Sequence, residues 1–514
     1  MTRSDTRGRR RGRRSDRARS TDPRRTRVPP AARGTAPPEA SPALELVIER
    51  LAGDGAGIAR APDGRIAFVP LTAPGDRVRV RPTTSKRSFL RAELLEVLAP
   101  GPARVEAVCP AFGHCGGCAW QHVDYADQLR AKAAILHDAL TRIGRLAQVP
   151  SIQVVPSPQP YGYRGRARLR VEAGRPGYRQ ASSEQIIPVS DCPVLAAPLR
   201  TALAELAARR PDDGEWELAL GEAEPDRPDG VRTSKLTGKP DGTATPGNDL
   251  RLRAGEETIR IAPGGFAQAN VLLFDALIAA VVGAALGRAA LRGAASRGAA
   301  FRGAALGEAS PGRVSPGGVS HGKAVRIDAA RIHAEPAEAG ESDVSATGAA
   351  GQQLLELFAG SGFFTLPLAR RFARVLAVES DATAIANLRR AAADAELDNI
   401  EAVVDDVGEF VDGHRFRSFR ADVVFADPPR AGLGAQAVAA LSRPGPTRLV
   451  YLSCDPATLA RDLATLTRSG WSLASVRGFD LFPQTPHVEA LAVLTRPGRA
   501  DRSRVPDRAA GRGA

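Results

Sequence analysis

The run Glu356-Leu-Phe-Ala-Gly360-Ser-Gly362-Phe-Phe has the form of a strand that breaks into a helix across a glycine turn. Residues 354–358 are strand-like and apolar, and the glycines after them let the backbone pass close to a bound molecule. A Gly-x-Gly pair is weak evidence by itself, so the surroundings decide. Outward from it, apolar strand-like runs recur at 375–379, 401–404, 423–427, 449–453, 472–479 and 490–494, with helical stretches such as 382–393 between most of them. That alternation predicts an α/β, Rossmann-like domain with a mostly parallel sheet wrapped by helices. In such sheets ligands bind beyond the carboxyl ends of the strands.

Acidic side chains collect at those ends. Glu379 closes the second strand, 19 positions after Gly360, where an acid takes the ribose hydroxyls of a nucleotide-like cofactor. Asp406 lies just past the third strand, and Asp427-Pro-Pro-Arg430 ends the fourth. No phosphate-cradling Lys-Ser/Thr follows the turn, and the third glycine of a dinucleotide motif is missing. The pattern therefore points to an adenosine compound without a pyrophosphate, such as S-adenosylmethionine. Ser453-Cys454-Asp455-Pro456 sets a single cysteine at the same edge. A lone cysteine is often a small apolar filler, and a lone Glu489 would ordinarily be a surface charge.

The amino-terminal half reads differently. Short strand-like runs at 44–48, 57–59, 66–69, 77–80 and 92–97, divided by Gly and Pro turns, predict a small OB-like β-barrel over 42–103. Cys109, Cys115 and Cys118 fall within ten residues, a spacing used for metal or cluster ligation. With His114 or His122 they could also complete a zinc site. A helix is expected over 125–143, its apolar face formed by Leu129, Ala133, Leu136, Leu140 and Ile143, with Gly144 ending it. Arg164, Arg166, Arg168 and Arg170 alternate with small or apolar residues, giving a strand with one basic face. Residues 104–254 are expected as a central α+β domain, in which 210–250 reads as a long loop, and 255–496 as the α/β domain.

Three segments cannot supply a core. Residues 1–41 hold 13 Arg against four acids, a net charge of +9, and residues 497–514 add +3. Residues 284–350 repeat Arg-Gly-Ala-Ala and read as a disordered insertion. The overall +14 thus belongs mostly to the tails, which can attract phosphate without specifying a target. Five cysteines, an odd number, make a disulfide framework improbable. With no long apolar run and no signal-like segment, a cytoplasmic, membrane-free protein is expected, with no obligate protein partner indicated and a monomeric state.

Several motifs, taken in order, resemble the RNA 5-methyluridine (uracil-C5) methyltransferase family in its form with an N-terminal TRAM domain. They are Cys109-x5-Cys115-Gly-Gly-Cys118-Ala-Trp-Gln121-His122, Phe266-Ala-Gln268-Ala-Asn270, Asp427-Pro-Pro-Arg430, Ser453-Cys454-Asp455-Pro-Ala-Thr-Leu-Ala-Arg461-Asp462 and Phe482-Pro-Gln-Thr-Pro-His487-Val-Glu489. The resemblance runs from about residue 44 to 497, apart from 210–250 and 284–350. It implies that Cys109, Cys115, Cys118 and Cys192 ligate a [4Fe–4S] cluster. It implies that Gln268, Phe358, Glu379 and Asp427 hold S-adenosylmethionine, with Asp406 and Phe363 nearby. Cys454 would be the nucleophile and Glu489 the base, and the barrel, through Arg77, Arg79, Arg81, Lys86 and Arg87, would grip ribosomal or transfer RNA. Asp455 stands where the family usually has Asn, and an extra carboxylate beside the thiol would tend to raise its pKa.

Three rival readings are weaker. An adenine amino-methyltransferase would place an aromatic after Asp-Pro-Pro, where Arg430 stands. A cytosine-5 enzyme would carry a Pro-Cys near the fourth strand, where there is no cysteine. A non-catalytic RNA-binding protein with a structural metal site would have no need of Cys454 and Glu489 together.

Overall fold

A computed structural model of the chain describes residues 42–181, 183–236, 249–287 and 351–497. The expected tail 1–41, the expected tail 497–514 apart from its first residue, and residues 288–350 of the expected insertion 284–350 lie outside the described residues. Among those described, no helix is long and apolar enough to cross a membrane.

Strands β1 (Leu44–Leu51), β2 (Gly57–Arg60), β3 (Ile66–Val69), β4 (Arg77–Ser85) and β5 (Phe89–Ala99) close into a barrel in the order β1-β2-β3-β5-β4. Alternation of side chains explains it: Leu46, Ile48, Val69, Val78, Val80 and Leu90 fill the interior while the intervening positions face out.

Helix α1 (Tyr125–Asp138) follows, capped by Asp124, and runs on as a π-helical turn over Ala139–Ile143. Gly144 ends it, but by close approach rather than by a left-handed turn. A Cβ there would sit 2.6 Å from the Leu140 carbonyl and 3.1 Å from that of Ala460. The buried stripe is also rotated from the expected one. Gln128, Lys132, Leu136 and Leu140 face inward, whereas Ile143 is 51% exposed. The two polar members are accommodated because partners far along the chain satisfy them.

Short β6 (Gln153–Val155) is followed by β7 (Arg166–Glu172), β8 (Arg175–Arg179), β9 (Ile186–Pro188), helix α2 (Ala197–Arg209), β10 (Gly214–Leu220) and β11 (Val231–Leu236). These strands form an antiparallel sheet in the order β11-β10-β7-β8-β9, with α2 packed on it. The long loop expected over 210–250 is thus corrected. Leu218 and Ala219 of β10 are buried, and Pro225, Asp226, Pro228, Asp229 and Gly230 lie between β10 and β11, while 237–248 lie outside the described residues.

Strands β12 (Leu250–Ala254) and β13 (Glu257–Ile261) form a hairpin, so the boundary expected between 254 and 255 falls at its turn. Both strands share a core with α3 (Phe274–Ala285), and that helix continues past the expected start of the insertion at 284.

The large sheet holds β14 (Gln353–Leu357), β15 (Arg374–Glu379), β16 (Ile400–Val404), β17 (Val423–Ala426), β18 (Arg448–Ser453), β19 (Ser472–Phe479) and β20 (Glu489–Thr495). Its order is β16-β15-β14-β17-β18-β20-β19-β6. The first five are parallel, and β20 is inserted antiparallel between β18 and β19. Near-continuous apolar runs fit strands covered on both faces. Leu354, Val375 and Phe425 face one core layer, and Leu355, Leu376 and Val424 the other. Among the helices between them are α4 (Thr365–Ala369), α5 (Ala382–Asp394), α6 (Val407–Asp412), α7 (His414–Ser418), α8 (Ala435–Ser442) and α9 (Pro456–Arg468). The expected α/β architecture is therefore present, with β6 as an additional parallel edge strand.

Candidate active site

The glycine turn lies at the carboxyl end of β14. Phe358 takes φ +65°, Gly360 +54° and Gly362 +96°. A Cβ on Gly362 would meet Leu388 at 2.5 Å and Leu366 at 2.8 Å, so helix packing requires this glycine. A Cβ on Gly360 would meet nothing within 4 Å, which leaves that side open. Glu379 closes the turn: Gly360 N donates to its Oε2 (3.1 Å), and Asp381 N (2.9 Å) and Ser380 Oγ (3.1 Å) donate to its Oε1. Half of this acid's hydrogen-bonding capacity therefore holds backbone.

The other expected cofactor residues divide. Gln268 is buried and its Nε2 donates to Asp427 Oδ2 at 3.3 Å, joining the 262–270 loop to the end of β17. Phe363 packs edge-on against Phe274 (5.0 Å) and Phe364 (4.9 Å), inside the core. Asp406 is exposed and caps α6, accepting from Gly408 N (2.8 Å) and Glu409 N (3.2 Å).

Cys454 and Glu489 are brought together by strand register. Ser453 of β18 pairs with Ala490 of β20, so Cys454 and Glu489 are the next positions outward on two neighbouring antiparallel strands. Asp427 follows Ala426, which pairs with Tyr451 on the other side of β18. Three reactive groups thus share one sheet edge. Burial pushes the Cys454 thiol up to about 11; Glu489 adds to this, and Arg430 opposes it. Glu489 itself is only 3% exposed, and burial, then Asp427, holds its carboxyl well above the usual range. Burial pushes Asp427 up to about 7. Two facing carboxyls in a poorly solvated place cannot both ionise easily, so protons leave the pair in shared steps. Such perturbed groups at one sheet edge mark a candidate site.

Asp455 does not play the part its sequence position suggests. Its carboxylate caps α9, accepting from Ala457 N (2.9 Å) and Thr458 N (2.8 Å), where the helix dipole favours a negative charge. The carboxylates that raise the thiol are Glu489 and Asp427. His487 is pushed down to about 4 by burial and by Arg430, whose guanidinium donates to the ring Nε2 at 3.3 Å. Asp462 accepts from Leu433 N and Tyr451 Oη, both at 2.9 Å, and Arg461 donates to Ala431 O (2.7 Å); together they fix the loop after Asp427.

Sequence reading missed Glu356. It is buried on β14, its Oε2 has no partner, and burial lifts it to about 8, with Asp427 and Glu379 adding and the nearby Thr365 hydroxyl opposing. The signal was an acid at a fully buried strand position.

Cys109, Cys115, Cys118 and Cys192 line one cavity of about 440 Å³ with Tyr178, Arg164 and Gln268. Neither His114 nor His122 lines it. Burial pushes Cys118 up to about 12 and also raises Cys115 and Cys192, the thiols adding to one another. Gly117 N donates to Cys115 Sγ at 3.4 Å. Among the described residues, no three His, Cys, Asp or Glu side chains form a site for a single metal ion.

The basic strand is partly internal. Arg166 and Arg232 flank buried Glu217, which also accepts from Gly264 N (3.2 Å), so β7 anchors the loop that carries Gln268. On the barrel, exposed Arg79 pairs with Glu96 and Arg81 with Glu93. These pairs temper the expected cationic grip, which leaves Arg77, Lys86 and Arg87 as further exposed basic groups.

Residues 341–497 match the family model described as tRNA (Uracil-5-)-methyltransferase, and 44–103 match that of the tRNA (uracil(54)-C(5))-methyltransferase TRAM domain. A protein of Gloeobacter violaceus called an uncharacterized RNA methyltransferase is 33% identical over 466 residues, covering 88% of this chain and 96% of that one. The 23S rRNA (uracil(1939)-C(5))-methyltransferase RlmD of Chromohalobacter salexigens is 32% identical, covering 88% and 89%. The fold resembles the crystal structure of Pyrococcus abyssi tRNA (uracil-54, C5)-methyltransferase in complex with S-adenosyl-L-homocysteine. That match has a TM-score of 0.58 at 22% identity and covers 88% of this chain and all of that one. Motifs, barrel, sheet order and relatives agree: this chain belongs to the RNA 5-methyluridine (uracil-C5) methyltransferase family.

Proposed function

We propose that the protein transfers a methyl group from S-adenosylmethionine to carbon 5 of a uridine in 23S ribosomal RNA, with Cys454 as nucleophile and Glu489 as base. The observation that carries this is the β18–β20 register, which sets Cys454 beside Glu489 at the sheet edge where Gln268 meets Asp427. Carbon 5 of uracil is too weak a nucleophile to take a sulfonium methyl directly. Cys454 Sγ loses its proton to solvent and adds to carbon 6, and the electron pair moves through the C5=C6 bond to the C4 oxygen as an enolate. Glu489 stays an unprotonated carboxylate for the later step. Carbon 5 then attacks the methyl carbon, whose bond to sulfur breaks. Glu489 removes the carbon 5 proton, the C5=C6 bond re-forms, and Cys454 leaves as a thiolate.

Gln268, Phe358, Glu379 and Asp427 would line the methyl donor, with Asp406 and Phe363 beside them. The resting thiol at about 11 keeps Cys454 largely unreactive until a base enters. The uridine must leave its stack to reach it. The enzyme would act as a monomer in the cytoplasm, its TRAM barrel over 42–103 and the segment 104–254 holding RNA. To test the substrate, unmodified transcripts of 23S ribosomal RNA and of transfer RNAs are offered with S-adenosylmethionine. 5-Methyluridine is expected in the ribosomal transcript; its appearance in transfer RNA alone would overturn that choice.

The four cavity cysteines would hold a [4Fe–4S] cluster. A zinc ion draws its sulfurs to about 2.3 Å from one point, whereas these four line a cavity of about 440 Å³. Bound there, the cluster would cross-link 109–118 to 192. Protein purified without oxygen is expected to be brown, with about four irons per chain bound by cysteine thiolates. Colourless protein with one zinc would contradict this.

A further inference from the structure

Glu489 is reached by a loop that other parts of the chain hold in place. Gln484, five residues before it, has φ +68°, a conformation that a non-glycine residue keeps only when its surroundings over-determine it. Those surroundings come from α1 and the cysteine segment. Gln128 Oε1 accepts from Gln484 N (2.9 Å), and the two N–H groups of Gln128 Nε2 are shared among Gln484 Oε1 (2.9 Å), Val123 O (2.9 Å) and Trp120 O (3.1 Å). The backbone N–H groups of Ala119 and Trp120 both donate to Gln484 O at 2.9 Å. Lys132, fully buried, pairs with Asp480 and donates to Phe482 O (2.9 Å), while Tyr163 Oη donates to Pro483 O (2.9 Å). Three successive carbonyls, 482 to 484, thus accept hydrogen bonds from donors outside the sheet. A buried amide making four contacts is a costly choice for mere core filling, since any that fail leave an unpaired polar group.

We infer that Gln128, supported by Lys132, is a positioning residue for proton removal: it fixes the 480–487 loop so that Glu489 faces carbon 5 of the methylated adduct. This rests on the assignment of Glu489 as base. The same loop is tied to Ala119, the neighbour of Cys118, through Gln484 O.

The test compares Gln128→Met, Gln484→Gly and Glu489→Gln with wild type, using tritiated S-adenosylmethionine and whichever transcript the wild type methylates. Met keeps the volume of Gln128 without its hydrogen bonds. Gly accepts the left-handed backbone and keeps its bonds but loses the side-chain tie, so it decides the question should Gln128→Met not fold. Turnover is expected to fall at least about tenfold in Gln128→Met, since small misplacements of a reacting group have large effects. The tritiated protein–RNA adduct should accumulate, while the single-turnover rate of methyl transfer into it stays near wild type. Gln484→Gly should show the same signature more weakly. Equal loss of every step without adduct, or wild-type turnover in both variants, overturns the inference. Failure of Glu489→Gln to accumulate adduct would instead strike the base assignment.

Discussion

Glu489→Gln is expected to convert the enzyme into one that methylates once and stops. The carboxyl is buried, and burial and Asp427 hold it well above the usual range, so an amide of the same shape should leave the fold intact. Removing Glu489 also removes the carboxylate that most raises the Cys454 thiol, so attack on carbon 6 is not weakened. What is lost is the acceptor for the carbon 5 proton. Turnover should fall by about 10²–10⁴-fold, the scale of a general base. The methylated RNA should stay joined to protein through denaturing electrophoresis. Normal turnover would mean that another group is the base. With Asp455 engaged as a helix cap and His487 pushed down to about 4, Asp427 then becomes the candidate.

Cys454→Ala should stop the reaction earlier and more completely. Without sulfur no bond forms to carbon 6, so neither methylation nor any covalent species should appear. A loss on the order of 10⁴-fold or more matches removal of a covalent nucleophile. Cys454 is half-buried at a strand end and makes no core layer, so the melting temperature should hardly move. Binding of S-adenosylmethionine should persist, because Glu379 and Gln268, proposed to line the donor, lie on other elements. Near-normal methylation by Cys454→Ala would rule out the covalent route.

Local pattern carried much of this. Short strand-like runs divided by Gly and Pro turns marked the barrel strands, and apolar runs alternating with helical stretches marked the parallel sheet. Spacing also placed Glu379 at its strand end, although it did not show that this acid ties Gly360. What escaped was whatever distant partners decide. Gln128 and Lys132 face inward because they meet Gln484 and Asp480, more than 300 positions away, and a helical periodicity counts them as surface. Strands β10 and β11 were hidden by turn residues between them. The meeting of Cys454 with Glu489 depends on β20 inserting antiparallel beside β18, a pairing that no local run of residues specifies. The roles proposed for them come from the resemblance of their motifs to the family.

The covalent bond at Cys454 is the centre of the account, and it can be trapped in the unaltered enzyme. Wild-type protein is incubated with S-adenosylmethionine and target RNA containing 5-fluorouridine, whose fluorine cannot leave as a proton does. The complex is digested with protease and ribonuclease and analysed by mass spectrometry. The expected product is the peptide spanning Ser453-Cys454-Asp455 carrying one fluorinated, methylated uridine nucleotide on sulfur. A trapped nucleotide on any other residue, or full release of RNA with no adduct, would contradict it.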